Sequence, residues 1–356
     1  MLQKLLWGSV TLSVALANAP ASQIPARKGL LPTGAVPLSA PGQVHVVATL
    51  NVPGTAVATG AGAVWVASGL AGLDRIDPRT NRVHHIRGLG DVLGVAIASH
   101  AVWIIVGHGD MLFPHDAVAR LDPATGRILA TIPLTLTIPI FASSTHKVVT
   151  HTIRVGPAES VAATNTAVWV TSGPIGSQEI QYVYHIDPSA NRVIAVATVP
   201  AGGAGVGHIV ATPNGSWVLT AAPRKGGILS YIEGRANRVR TVRLPHATLA
   251  TSSLAYGSGS LWVGDTAIDR VLQVDPHSGR VVARSPVLQG HPAVLVVVHG
   301  DVWIATYKGR LYTLAVVAHR LIGWPIGLTI HPFSAAATNA SLWIVGHEGL
   351  LRIGPL

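Results

Sequence analysis

The chain contains no cysteine. That excludes a disulfide framework, a thiolate nucleophile, a lipidated cysteine anchor and any Cys-ligated metal centre. Charge is also scarce: only 11% of the 356 residues are Asp, Glu, Lys or Arg, against 49% hydrophobic. A disordered, highly charged chain is excluded, and a large packed core is implied. No apolar run approaches the roughly 20 residues that a membrane-spanning helix needs. Also missing are a phosphate-binding Gly-Lys-Ser/Thr loop, a His-Glu-x-x-His helix and a Gly-x-Ser-x-Gly elbow, so the common nucleotide, zinc-protease and hydrolase signatures lend no support. The glycine-rich run "GGAGVG" at 202–207 lies between short apolar runs with no helical pattern after it, and reads as a loop.

The longest apolar run stands at the N-terminus, where Lys4 precedes residues 5–17 and a small-x-small site follows at Ala19, Pro20 and Ala21. This is the pattern of a cleaved secretory signal over residues 1–21, which places the protein outside the cytoplasm, secreted or in the cell envelope. Residues 22–43 carry Pro25, Pro32, Pro37 and Pro41 and read as a stiff linker. The folded body is then 44–356. It is expected to be a monomer with no transmembrane domain. Over the whole chain 25 Lys and Arg exceed 15 Asp and Glu, giving a formal net charge of +10. Such a surface attracts polyanions, DNA among them, and its 17 histidines would strengthen that attraction in acid.

Two phrases recur. One is a tryptophan strand: "AVWVAS", "AVWIIV", "AVWVTS", "GSWVLT", "SLWVGD", "DVWIAT" and "SLWIVG", centred on Trp65, Trp103, Trp169, Trp217, Trp262, Trp303 and Trp343. The spacings of 38, 66, 48, 45, 41 and 40 residues are those of a supersecondary repeat. The other is a turn: "RIDPRTNRV", "RLDPATGRI", "HIDPSANRV" and "QVDPHSGRV", worn to "IEGRANRV" in the fourth repeat and "AVVAHRL" in the sixth. Proline presets φ, aspartate caps the turn through its side chain, and Asn81, Gly126, Asn191 or Gly279 accepts the left-handed backbone that returns the chain.

Each repeat parses into four short strands, and no segment of the body sustains a helical period. Seven such units predict an all-β, seven-bladed β-propeller. The last repeat ends after a third strand, "GLLRIGPL", while "QVHVVATL" at 43–50 resembles a fourth. The N-terminal strand is therefore expected to complete the seventh blade and close the ring. Closure removes exposed sheet edges, and blades covered on both faces explain why strands such as "AVLVVV" are apolar throughout.

"VWVTS" and "IDPRTNRV" resemble the YVTN-type β-propeller repeat, with Trp for the usual Tyr and Ser172 for the expected Asn. The likeness spans nearly the whole body. It implies exported bacterial propellers. One relative type binds DNA, and the similar virginiamycin B lyase is magnesium-dependent. The matching positions are turn and core positions, so no catalytic residue carries over.

A functional site is expected at the channel mouth, where loops enter the innermost strands. Twelve residues before each repeat tryptophan stand Pro53, Asp91, Pro157, Gly205, Ala250, His291 and His331, with Glu159 and His208 close by. Asp91, Glu159, His208, His291 and His331 are the channel-mouth candidates. They could bind a divalent metal such as magnesium or act as acid and base; alternatively His291 and His331, each followed by proline, shape their loops. Loops between second and third strands add His108, Asp110, His115, His347 and Glu348 as rim candidates, together with Arg224, Lys225, Asp265 and Lys308. The long gap between Trp103 and Trp169 contains an alternating stretch, 134–155, that reads as an extra hairpin, a lid or docking arm on the same face. Three functions follow: an exported binding module for an unknown ligand or envelope partner, a metal-dependent lyase or hydrolase, or a polyanion binder. Polyanion binding would fall steeply with rising salt in a titration at several ionic strengths.

Overall fold

In the computed structural model the described residues are 44–356, apart from 99, 108–115, 143–146, 155–156, 174–178, 202–206, 223–225 and 245–252; side chains are also left out at 137–142, 147–154 and 221–222. The expected signal and linker, residues 1–43, lie outside them.

Seven four-stranded antiparallel sheets are arranged in sequence order. Blade 1 spans 56–86, blade 2 91–133, blade 3 158–200, blade 4 208–244, blade 5 254–284 and blade 6 292–327. Blade 7 takes three strands from 334–354 and its fourth from His45–Leu50, paired antiparallel to Gly349–Gly354. Within a blade we letter the strands a to d in pairing order, with the tryptophan on strand b. Each a strand packs against the a strand of the next blade, and that of blade 7 against that of blade 1. The ring is closed, as the chain ends predicted.

Burial follows from this geometry. Strand b of blade 1, Ala63–Ala67, is buried at every position, whereas His45–Leu50, on an outer edge, alternates between exposed and half-buried. Apolar clusters straddle neighbouring sheets: Trp65 and Leu73 of blade 1 pack with Val95 and Ile104 of blade 2, and Trp103 of blade 2 with Val168 of blade 3. An aliphatic side chain in strand a or b thus has no solvent face to alternate toward.

The recurring turn joins strands c and d. Asp77 Oδ1 accepts the backbone N–H of Arg79 at 2.8 Å, and Asp122, Asp187 and Asp275 repeat the contact at 2.7, 2.8 and 2.7 Å. These bonds, preceded at Asp187 by a stronger one from the Ser189 hydroxyl, favour the ionised carboxyl and hold all four aspartates below the ordinary range. The left-handed position is Asn81 (φ 60°), Gly126 (72°), Asn191 (50°), Asn237 (50°), Gly279 (72°) and His319 (50°) in successive blades. The worn turns of blades 4 and 6 therefore keep the same backbone.

The turn also docks onto the preceding blade. The Arg120 guanidinium lies 5.5 Å from the Trp103 ring centroid and donates to Pro188 O at 2.9 Å and Asn191 Oδ1 at 3.0 Å, in the turn of blade 3. Arg352 covers Trp343 at 5.3 Å and reaches Asn81 Oδ1 at 3.0 Å. His185 stacks on Trp169 at 4.0 Å and meets Asn237 at 3.2 Å, while Arg240 covers Trp217 at 5.4 Å and bonds His277 O and Pro276 O. The repeated turn is thus a blade-to-blade bracket, in which a cationic or imidazole side chain is sandwiched between a buried indole and the next turn. A cation on an indole face is worth about 0.5–2 kcal/mol per site.

Trp169 is 0% exposed. Trp169→Ala should cost about 3–5 kcal/mol, since it removes a buried indole and the platform under His185. A thermal melt showing an unchanged midpoint would contradict this.

Candidate functional site

All a strands start at one end of the ring, and the turns between strands b and c rise at the same end. This is the channel-mouth face. The extra hairpin, Thr135–Ala142 paired with Lys147–Arg154, forms as expected between strand d of blade 2 and strand a of blade 3, on this face. Of the candidates, His108, Asp110 and His115, and also Gly205, Arg224, Lys225 and Ala250, lie outside the described residues.

The remaining mouth candidates are engaged with neighbouring loops. Asp91 opens strand a of blade 2, beside Val92, whose N–H and C=O bond Gly69 in the turn of blade 1 at 3.0 and 3.1 Å. Burial raises the Asp91 carboxyl above its ordinary range. His291 Nδ1 lies 2.6 Å from Asp269 Oδ1, linking the approach to blade 6 with the b–c turn of blade 5. His331 Nδ1 lies 2.5 Å from Glu348 Oε1, and its backbone N–H donates to Oε2 at 3.1 Å. The bond from His331 holds Glu348 below its ordinary range. Thus one mouth candidate and one rim candidate form a single brace. His347 packs its ring edge-on against Phe333 at 4.3 Å. Asp265 is fully buried and accepts the N–H of Ala267 at 3.0 Å.

The densest polar group lies at the junction of blades 3 and 4. Glu159 Oε2 accepts the backbone N–H of Gly207 at 2.9 Å and an N–H of Gln181. Gln181 is 0% exposed. Gly207 packs closely on this amide: a Cβ there would sit 2.0 Å from Gln181 Oε1, so any side chain would displace Gln181 from Glu159. Burial outweighs the two donated bonds and pushes the Glu159 carboxyl up to about 7. Next along the chain, His208 is fully enclosed, its Nδ1 has no hydrogen-bond partner among the described residues, and burial pushes its imidazole down to about 4. Near neutrality the junction therefore holds a neutral histidine and a carboxyl poised between states.

Counting back from the tryptophans located Glu159, His208, His291 and His331. It did not reveal Gln181, which arrives from strand c opposite Val199, or Asp269, at a left-handed position (φ 53°) where Gly or Asn is the usual occupant. Asp116, which accepts the N–H of Ala158 at 2.5 Å, was also unmarked. Among the described residues, no three His, Asp or Glu side chains converge as metal ligands.

No family model matches the chain, and no curated protein matches it by sequence. Solved structures match it by fold. A chain of the mitotic checkpoint complex superposes with a TM-score of 0.63 at 11% identity, covering 96% of this chain and 99% of that one. The WD40 β-propeller domain of Doa1 gives 0.59 at 14% identity, covering 87% and 96%. The computationally designed Ika8 protein gives 0.58 at 11% identity, covering 87% and 98%. At these identities the likeness establishes the class, a seven-bladed β-propeller.

The Glu159 carboxyl rises from its ordinary 4.5 to about 7 on folding. Its contribution to stability is fully present below pH 4.5 and is lost as pH climbs through 7, by at most about 3 kcal/mol. His208 has the opposite sign: its contribution is present above its ordinary 6.5 and lost as pH falls through about 4. Melts between pH 5 and 8 should show the wild type losing stability relative to Glu159→Gln; parallel curves would refute the assignment.

Proposed function

We propose that the chain is an exported binding module whose channel-mouth face engages a ligand or a protein partner of the cell envelope. The carrying observation is how that face is built. His291 with Asp269 and Glu159 with Gly207 tie adjacent blades together, and His331 with Glu348 ties the entry of blade 7 to that blade's own b–c turn, so the rim is preorganised before anything binds. Leu70, 89% exposed in the b–c turn of blade 1, adds an apolar contact point to this polar rim. The propellers that superpose on the chain include a member of a multi-protein complex and a WD40 domain, and a binding role extends that use of the architecture to this chain. The YVTN-type resemblance of the repeats agrees with export, and we assign the chain to that kind of propeller.

The test compares faces. Leu70→Ala, His291→Ala and His331→Ala should reduce capture of the envelope partner, while Arg79→Ala and Arg235→Ala on the opposite face should not. Loss confined to the opposite-face variants would overturn the reading. Export predicts that N-terminal sequencing of the mature chain begins at Ser22; an intact Met1 in the extracytoplasmic fraction would remove the cleaved signal.

One observation favours a second reading, a lyase or hydrolase: a carboxyl near neutral pKa, Glu159, is bonded to Gly207 at the start of the strand that carries His208, whose Nδ1 has no partner among the described residues. Magnesium is the metal we would test. A higher melting midpoint with magnesium that Glu159→Gln abolishes would support it, and no shift would count against it.

A further inference from the structure

The blade-to-blade bracket is filled from within the chain at most junctions. Arg75, Arg120, Arg240 and Arg352 lie 5.3–5.8 Å from the indoles of Trp65, Trp103, Trp217 and Trp343, and His185 stacks on Trp169. At blade 5 the residue opposite Trp262 is Gln273, bonded to Ser260 at 2.9 Å, and the adjoining gap has no room for a water-sized body. Blade 6 differs. Opposite Trp303 stands Thr313, too short to cover the indole and without charge. Trp303 is the most exposed of the seven repeat tryptophans, at 8%.

The neighbouring turn differs as well. Every other blade presents a c–d turn here, but blade 7 is completed by the N-terminal strand. In place of a turn, the junction is lined by Val44 and His45 from one end of the body and Pro355 and Leu356 from the other. What remains is a groove of about 580 Å³ that also includes Asp301, Thr313 and Trp324. Trp324 is 94% exposed and stands in a bulge of strand d, where the register jumps from Thr313↔Ile322 to Leu311↔Ile326 and Gly323 supplies the left-handed backbone (φ 64°). Asp301, one turn of the pleat from Trp303 on the same strand, makes no close ion pair among the described residues, and burial raises its carboxyl above the ordinary range, offset only in part by His299 nearby. A cation entering the groove would relieve that penalty.

We propose that the groove between blades 6 and 7 binds an arginine side chain presented by a partner, its guanidinium covering Trp303 with Asp301 as counter-charge. The bound arginine takes the place that Arg120 and Arg352 occupy at their own junctions. The flat guanidinium suits an indole face better than a compact, strongly hydrated ammonium does, and Trp324 offers a second aromatic surface at the rim. The chain is basic overall, with a formal net charge of +10, so a cationic ligand is repelled by the surface at large and must be held by local chemistry. This site lies away from the channel-mouth face, so it can fail or stand independently of the role proposed there.

The experiment is calorimetric titration of the full chain with three blocked tripeptides, Gly-Arg-Gly, Gly-Lys-Gly and Gly-citrulline-Gly. The arginine peptide should bind at least about tenfold more tightly than either of the others. Thr313→Arg would supply the missing guanidinium in place; it should abolish binding and raise the melting midpoint. Trp324→Ala, at a solvent-exposed position, should weaken binding several-fold without lowering the midpoint, and Leu70→Ala should leave affinity unchanged. Citrulline or lysine binding as well as arginine, or undiminished affinity in Thr313→Arg, would overturn the proposal.

Discussion

Contact between neighbouring sheets is the constraint on which this molecule depends. No blade can bury both of its faces alone, and each repeat tryptophan is covered only because another blade stands against it. Burying an indole removes about 150–250 Å² from water, a gain that only the assembled ring delivers. The cationic brackets over Trp103, Trp217 and Trp343 add direction to this undirected force: they fix how far one blade is rotated against the next, because the same guanidinium must meet both an indole and a turn carbonyl or amide. Asn191 and Asn81 therefore serve twice, once as the residue that tolerates the left-handed backbone and once as the acceptor for the preceding blade.

The same logic organises the functional face. At the channel mouth one imidazole–carboxylate pair, His291 with Asp269, ties the entry of blade 6 to blade 5, while another, His331 with Glu348, ties the entry of blade 7 to that blade's own b–c turn. The junction of blades 3 and 4 is the exception in kind. There the tie runs through a half-buried carboxyl, a buried amide and a glycine packed against that amide, with an imidazole beside them whose Nδ1 has no partner among the described residues.

Much of this architecture was legible in the residues, because the tryptophan and the aspartate-proline turn recur at spacings that local backbone chemistry enforces. The order of strands, the closing strand at 45–50 and the extra hairpin all follow from such local signals. What was illegible depends on partners brought from elsewhere. Gln181 is an ordinary polar residue in a strand until the next blade sets Gly207 and Glu159 against it. Asp269 gives no sign of its partner, since His291 lies in the following repeat. The persistence of the blade 6 turn without proline, aspartate or asparagine shows tertiary packing imposing a left-handed conformation on His319 that its sequence alone does not request. The channel-mouth candidates were found by counting, yet the contacts that His291 and His331 make required the neighbouring turns.

The pairing of His45–Leu50 with Gly349–Gly354 also governs when the protein becomes whole. Strand His45–Leu50 finds its mate only in Gly349–Gly354, a contact spanning nearly the entire body, and such distant pairings form slowly. A chain emerging vectorially must hold its early blades open, with one sheet face of the first blade uncovered, until the final residues arrive. Premature truncation at the C-terminus would accordingly leave an unsealed arc instead of a slightly smaller wheel, and would expose apolar sheet to neighbouring molecules.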